Sequence, residues 1–255
     1  DETIRAATEA DPMGFVSDLP ERAILDEVQH VPRIFAALKL SIDRHRAAGR
    51  FILTGSTNVL LIPKLADSLA GRMETIRLYP LSQCELAEEP SRFLDMLFAG
   101  SFNTGSSDRL GAELADRVVA GGYPAALARS SVEGRARWYG EYLDAVVQRD
   151  VRSLARISAL DAMPRLLELA ASHTACLINV TELSGPFQLS RPTIREYVTL
   201  LERLFLVDEL PAWHTNHLKR LVRTPKLHGG DTGFATSLLG ANASALLAER
   251  ELEAV

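Results

Sequence analysis

The sequence predicts an α/β domain followed by a helical domain, and three observations predict it. Short apolar runs alternate with helix-period segments up to about residue 80, the rhythm of a parallel sheet. From Ser82 onward the apolar spacing turns helical. The 255 residues, 47% hydrophobic and 24% charged, suit a globular chain that buries roughly 70–75% of its unfolded surface, as one large domain or two modest ones.

Each element follows in order. "RAIL", ending at Leu25, is short, apolar and bounded by charge, as a buried parallel strand would be. Ile34, Leu38 and Ile42 then mark one face of a helix from about Pro32 to Ala48, closed by Gly49. "RFILTGS" gives a second strand, Ile62 to Ala70 a short helix, and "METIRLYPL" a third strand stopped at Pro80. Ser101 to Arg109, "SFNTGSSDR", reads as a polar linker. Beyond it, "LGAELADRVVAGGYPAAL" gives two helices broken at Gly121-Gly122, and Glu133 to Leu154 one long helix. A compact trio follows. Met163 to Ala170 carries helical spacing, Asn179 with Glu182 resembles a capping box, and Ser190 with Pro192 opens a third helix running to about Leu204. Ile194, Val198 and Leu201 on that helix are expected to face the core. "FLVDELPAW" then reads as a strand.

Composition excludes several classes. No apolar run reaches the ~18–20 residues of a membrane span, and the first residues do not form a signal peptide. Cys84 and Cys176 are far apart and suggest neither a disulfide framework nor a zinc site, so a reducing, cytoplasmic setting is expected. The net charge of −5 argues against a chain coated in nucleic acid. Yet no acidic residue lies between Glu209 and Asp231, where Lys219, Arg220, Arg223 and Lys226 fall. Such a segment is either a phosphate-facing surface or a solvated loop. His214 and His217 lack a third ligand and read as exposed loop residues. Trp138, Tyr139 and Tyr142 read as core, and Asp231 as a turn residue.

The chemistry-bearing pattern is "AILDEVQHVP". An apolar strand ending in Asp26-Glu27 can offer one carboxylate to a metal ion and one to water. Thr54 and Ser56 end the next strand, where a hydroxyl could touch a phosphate or orient water. Arg72, in "SLAGRM", sits at a junction from which an arginine can reach a neighbour's phosphate. A phosphate-cradling G-x-x-x-x-G-K-[ST] loop is absent from the sequence. Lys39, Lys64, Lys219 and Lys226 are its four lysines, each followed by Leu or Arg.

"AILDEVQHVP", "GRFILTGSTNVL", "SLAGRMETIRLYPLSQCEL", "GGYPAAL", "YLDAVVQRDV" and "TPKLHGGDTG" resemble, in this order, prokaryotic AAA-like P-loop ATPases with a C-terminal domain of unknown function. The resemblance implies a partial AAA-like domain over residues 1–100 and a helical, winged-helix domain over 110–239 leading into a nuclease-like region. A helical tail would occupy 240–255. By this resemblance Asp26 is the Walker B magnesium carboxylate, Glu27 the catalytic base, Ser56 or Thr54 the sensor, and Arg72 an arginine finger. Mg-ATP is the family's cofactor. Both ends read as cut, so this chain alone is expected to bind no nucleotide well and to hydrolyse none.

Three functions therefore compete: an AAA-like ATP-binding protein, a winged-helix DNA-binding module with a vestigial ATPase half, and a non-catalytic assembly protein. The first implies a homo-oligomer or a partner that supplies the phosphate loop. The second implies duplex DNA, met by Arg191, Thr193 and Arg195 in the first turns of the third helix and by Lys219, Arg220, Arg223 and Lys226 beyond the hairpin.

Overall fold

The computed structural model of the chain describes residues 2–56, 69, 71–101, 111–151, 162–187, 189–216 and 223–248. The chain divides into two compact units between Arg77 and Leu78.

The first unit begins with helices α1 (Glu2–Ala10) and α2 (Pro12–Asp18). Asp11 caps α2 by accepting from the Gly14 N–H at 2.9 Å, and Pro12 fits its first turn. Strands β1 (Ala23–Leu25) and β2 (Phe51–Leu53) pair in parallel, Ala23 opposite Phe51 and Leu25 opposite Leu53. A parallel pair needs a crossover, supplied here by a 3₁₀ turn (Val28–His30) and helix α3 (Ile34–Arg44). The expected helix is thus present but ends at Arg44; the chain turns later at Gly49, whose φ of +70° favours glycine.

Val16, Val28, Phe35, Leu38 and Leu69 form the core, with Leu25, Phe51 and Leu53 packed on it. The opposite face of the sheet carries Ile24, 70% exposed, and Ile52, 58% exposed. The strands are therefore buried on one face, not on both as their apolar runs suggested. Met73–Tyr79 takes no part in a sheet among the described residues. Ile76 is 80% and Leu78 91% exposed. Alternating apolar residues make a strand only where a neighbour completes the ladder, and among the described residues none pairs with this segment. The helix expected at 62–70 lies outside the described residues except for the buried Leu69.

The second unit opens with α4 (Gln83–Leu86), where Ser82 and Glu85 form a reciprocal capping box, and α5 (Phe93–Ala99). Most of the expected linker, from Phe102 on, lies outside the described residues. Helices α6 (Ala112–Ala120) and α7 (Pro124–Leu127) are separated at Gly121-Gly122 as expected. Helix α8 (Val132–Ala145) passes into a π turn at Val146–Val151, so the long helix keeps α geometry only to Ala145.

Helices α9 (Met163–Ser172), α10 (Val180–Ser184) and α11 (Arg191–Arg203) then bury Leu166, Leu183, Ile194, Val198 and Leu201 together. Asn179 caps α10 through the Thr181 and Glu182 N–H groups, and Ser190 caps α11 through the Thr193 N–H. Strands β3 (Val207–Leu210) and β4 (Lys226–Gly229) form an antiparallel pair. The 175–178 segment runs along the other edge of β4: Ala175 N–H donates to the Leu227 carbonyl at 2.7 Å, and Leu227 N–H to that of Cys176 at 2.9 Å. Helices α12 (Thr232–Leu238) and α13 (Ala243–Ala248) pack on α6. Among the described residues no helix is long and apolar enough to cross a membrane.

Candidate functional site: carboxylates and hydroxyls at two strand ends

Parallel pairing sets the ends of β1 and β2 side by side, and the backbone keeps them joined one step further. Thr54 N–H donates to the Leu25 carbonyl at 2.9 Å, and Val28 N–H to the Thr54 carbonyl at 3.2 Å. The carboxyl ends of parallel strands are where open α/β sheets bind ligands. Four of the residues named from the sequence meet there. The Thr54 hydroxyl donates to Asp26 Oδ1. Glu27 and Ser56 are joined by a residue that the sequence did not single out. Gln29 Nε2 donates to Glu27 Oε2 at 2.5 Å and to Ser56 Oγ at 3.0 Å.

The backbone at Glu27 is left-handed, φ 54° and ψ 45°. For a residue with a Cβ this conformation costs about 1–2 kcal/mol, and such outliers gather at functional sites. It ends β1 abruptly and starts the 3₁₀ turn that brings Gln29 back toward Ser56. Asp26 is exposed at the strand end. With the Thr54 hydroxyl on its Oδ1, this carboxylate is a hard-oxygen donor of the kind magnesium takes while keeping most of its waters. The residues present therefore fit that ion in the Asp26 position.

Arg72 pairs with Asp43 on α3, Nε to Oδ1 at 2.7 Å and Nη2 to Oδ2 at 3.1 Å. This fork holds the Asp43 carboxyl below its ordinary range, chiefly through the hydrogen bond from Arg72. A hollow of about 380 Å³ lies beside the pair, lined by Asp43, Arg46 and Arg72 among others and by none of the strand-end residues.

The residues named for nucleic acid are spread over the second unit. Arg191 is exposed in the first turn of α11. Thr193 is engaged in the cap, its hydroxyl 2.8 Å from that of Ser190. Arg195 forms an ion pair with Glu209 on β3. Arg223 and Lys226 are exposed. Lys219 and Arg220, with His217, lie outside the described residues.

Asp231 is more than a turn residue. It is 8% exposed and caps α12 through the Phe234 N–H at 2.8 Å. It also accepts from the Gly122 N–H at 2.7 Å and from the Tyr139 hydroxyl at 3.0 Å. Gly121 and Gly233 let the backbones close on this carboxylate; a Cβ on Gly121 would stand 2.4 Å from Asp231 Oδ1. The "GGYP" and "GGDTG" stretches are thus two sides of one buried joint. Trp138 stacks on Tyr142 beside it, the core role expected of them.

Comparison with known proteins finds two family matches along the chain. Residues 2–87 match the family described as "AAA domain", so this region is AAA-like. Residues 111–245 match the family described as "Domain of unknown function (DUF8612)". This second match covers more than half of the chain, and the chain belongs to that family. An uncharacterized protein of Mycobacterium tuberculosis is 29% identical over 232 residues, covering 91% of this chain and 47% of that protein. An uncharacterized protein of Haemophilus influenzae is 27% identical over 196 residues, covering 72% of this chain and 44% of the relative. The chain spans about half the length of these relatives. No solved structure matches it.

Proposed function

We propose that the first unit contributes the magnesium- and water-facing side of an ATP-hydrolysing site of the AAA type. The observation that carries this reading is the meeting of Asp26, Glu27, Thr54 and Ser56 at the adjoining ends of two parallel strands. Asp26, steadied by the Thr54 hydroxyl, would hold the ion, which neutralises charge on the phosphates when bound. Glu27 would take the proton of the attacking water. The Ser56 oxygen accepts from Gln29, which leaves its own hydrogen free to donate to a phosphate oxygen. Arg72 would act on a neighbouring copy's phosphate, after exchanging Asp43 for it.

The backbone N–H nest and lysine of a phosphate loop supply most of the grip on β- and γ-phosphates. This chain should therefore bind Mg-ATP at about millimolar or weaker and hydrolyse none, whereas a longer polypeptide with a phosphate loop ahead of β1 should bind tightly. Calorimetry on both forms tests this. Micromolar binding by this chain, or none by the longer one, contradicts the reading.

A second reading belongs to the second unit. We read helices α9, α10 and α11, with β4 between β3 and the 175–178 segment, as a winged helix; the hairpin and the extra strand edge on β4 support this reading. In such a module the third helix enters the major groove by its N-terminal residues. Arg191 would lead here, with Arg223 and Lys226 on phosphates along with Lys219 and Arg220. The Arg195–Glu209 pair favours instead a packing role for that side of α11. A salt titration of duplex binding decides between the two.

A further inference from the structure

We infer that Gln29 is a positioning residue of the strand-end site, holding the Glu27 carboxylate and the Ser56 hydroxyl as one unit. This inference rests on the ATPase reading and names how its base and sensor are coupled. A carboxylate only accepts hydrogen bonds, so the Gln29 atom 2.5 Å from Glu27 Oε2 is the amide nitrogen. That nitrogen carries two hydrogens, and the second reaches Ser56 Oγ at 3.0 Å. One rigid planar group therefore fixes the distance between a residue of the β1 turn and a residue at the end of β2.

Two further observations point to a role at the site itself. Gln29 Oε1 is buried and has no hydrogen-bond partner among the described residues. A buried acceptor left unsatisfied costs about 1–3 kcal/mol, so the amide's place is set by its two donors and not by its oxygen. Gly55 leaves the room for that oxygen, since a Cβ there would stand 2.5 Å from it. The left-handed backbone of Glu27 completes the device, for it turns the chain so that residues 27 and 29 face the same strand end.

The consequence is directional. When Ser56 donates to a phosphate oxygen, its own oxygen remains bound to Gln29, and Gln29 holds Glu27 where water would sit. Loss of the bridge leaves substrate grip intact and slows the chemical step. Gln29→Glu is nearly the same shape but cannot donate to either partner at neutral pH, and it sets a second carboxylate against Glu27. It should fail as Gln29→Ala does.

The bridge is tested first without nucleotide, in this chain, by the side-chain amide resonances of Gln29 in ¹⁵N-labelled protein, assigned by their loss in Gln29→Ala. Glu27→Ala and Ser56→Ala should each shift them, and Gly55→Ala should shift them while the rest of the spectrum stays folded. Amide resonances that neither Glu27→Ala nor Ser56→Ala moves overturn the bridge. The second arm uses a longer polypeptide that carries a phosphate loop. There Gln29→Ala and Gln29→Glu should lower kcat about 10- to 100-fold with KM for ATP within about twofold of wild type. Unchanged kcat, or a loss that follows a fall in Tm, overturns the positioning role. Absence of hydrolysis in the wild-type longer polypeptide overturns the ATPase reading instead, while the amide shifts still report on the bridge.

Discussion

Tyr139 on α8 donates its hydroxyl hydrogen to Asp231 at the start of α12, at 3.0 Å and across a sequence separation of 92. The same carboxylate takes the N–H groups of Gly122 and Phe234, so three donors from three parts of the second unit converge on it. Asp231→Asn puts an amide N–H₂ where an oxygen accepts, setting donor against donor. It should destabilise the unit by about 2–3 kcal/mol, and Tyr139→Phe by about 1 kcal/mol. Urea unfolding monitored by tryptophan fluorescence measures both; a loss below about 0.5 kcal/mol for Asp231→Asn would show that the joint is not needed.

The same joint makes the unit sensitive to alkali. Burial first, then the charge of Asp231, holds the Tyr139 phenol above its ordinary range. Burial, then Tyr142, does the same for Tyr123. A raised folded-state pKa means stability fully present below the unfolded value near pH 10 and lost as pH climbs above it. Each withheld proton steepens that loss by about 1.4 kcal/mol per pH unit. Tm should therefore be flat from pH 7 to about 9.5 and fall beyond pH 10, less steeply in Tyr139→Phe. Equal slopes in the two proteins would remove Tyr139 from the account.

Arg72 has two possible loyalties, and substitution separates them. In a longer polypeptide with a phosphate loop, Arg72→Ala should lower ATP turnover by about 10³–10⁵-fold with affinity nearly unchanged. Asp43→Ala, which removes this carboxylate from the guanidinium, should leave turnover within a few-fold. Mixing Arg72→Ala with Glu27→Gln protein should restore part of the activity if the arginine crosses to a neighbour. A common loss in both single variants with no recovery on mixing would assign Arg72 to holding α3.

Duplex binding by this chain should be salt-dependent. With Lys219, Arg220, Arg223 and Lys226 each on one phosphate, log affinity should fall against log salt with a slope of roughly −3 to −4. Each alanine at these positions should lower the slope by about one and leave sequence preference alone. A flat titration leaves the three helices and their strands as a packing module.

Much of this architecture is legible in the sequence because it is local. Ser190 and Asn179 announce helix starts through their own side chains, and Ile194, Val198 and Leu201 repeat at the helical period that buries them. Asp26 and Thr54 are found because a strand end projects them. What is not legible depends on partners distant in sequence. Met73–Tyr79 has a strand's alternation, but no neighbouring strand is described for it. Asp231 resembles any turn aspartate until Gly122 and Tyr139 arrive from the other side of the joint. Gln29 carries neither charge nor motif weight. Its only sequence signal is an amide two residues after the glutamate, and that spacing counts only once Glu27 adopts a left-handed turn. Asp43 is hidden for a like reason, since nothing local relates it to Arg72.

The most direct test of the ATPase reading is single-turnover hydrolysis of labelled ATP by a longer polypeptide that joins a phosphate loop to this chain, wild type against Glu27→Gln. The account predicts magnesium-dependent hydrolysis by the wild type, and in Glu27→Gln a complex that retains uncleaved ATP. Hydrolysis at an equal rate in both proteins, or no nucleotide bound by either, would contradict it.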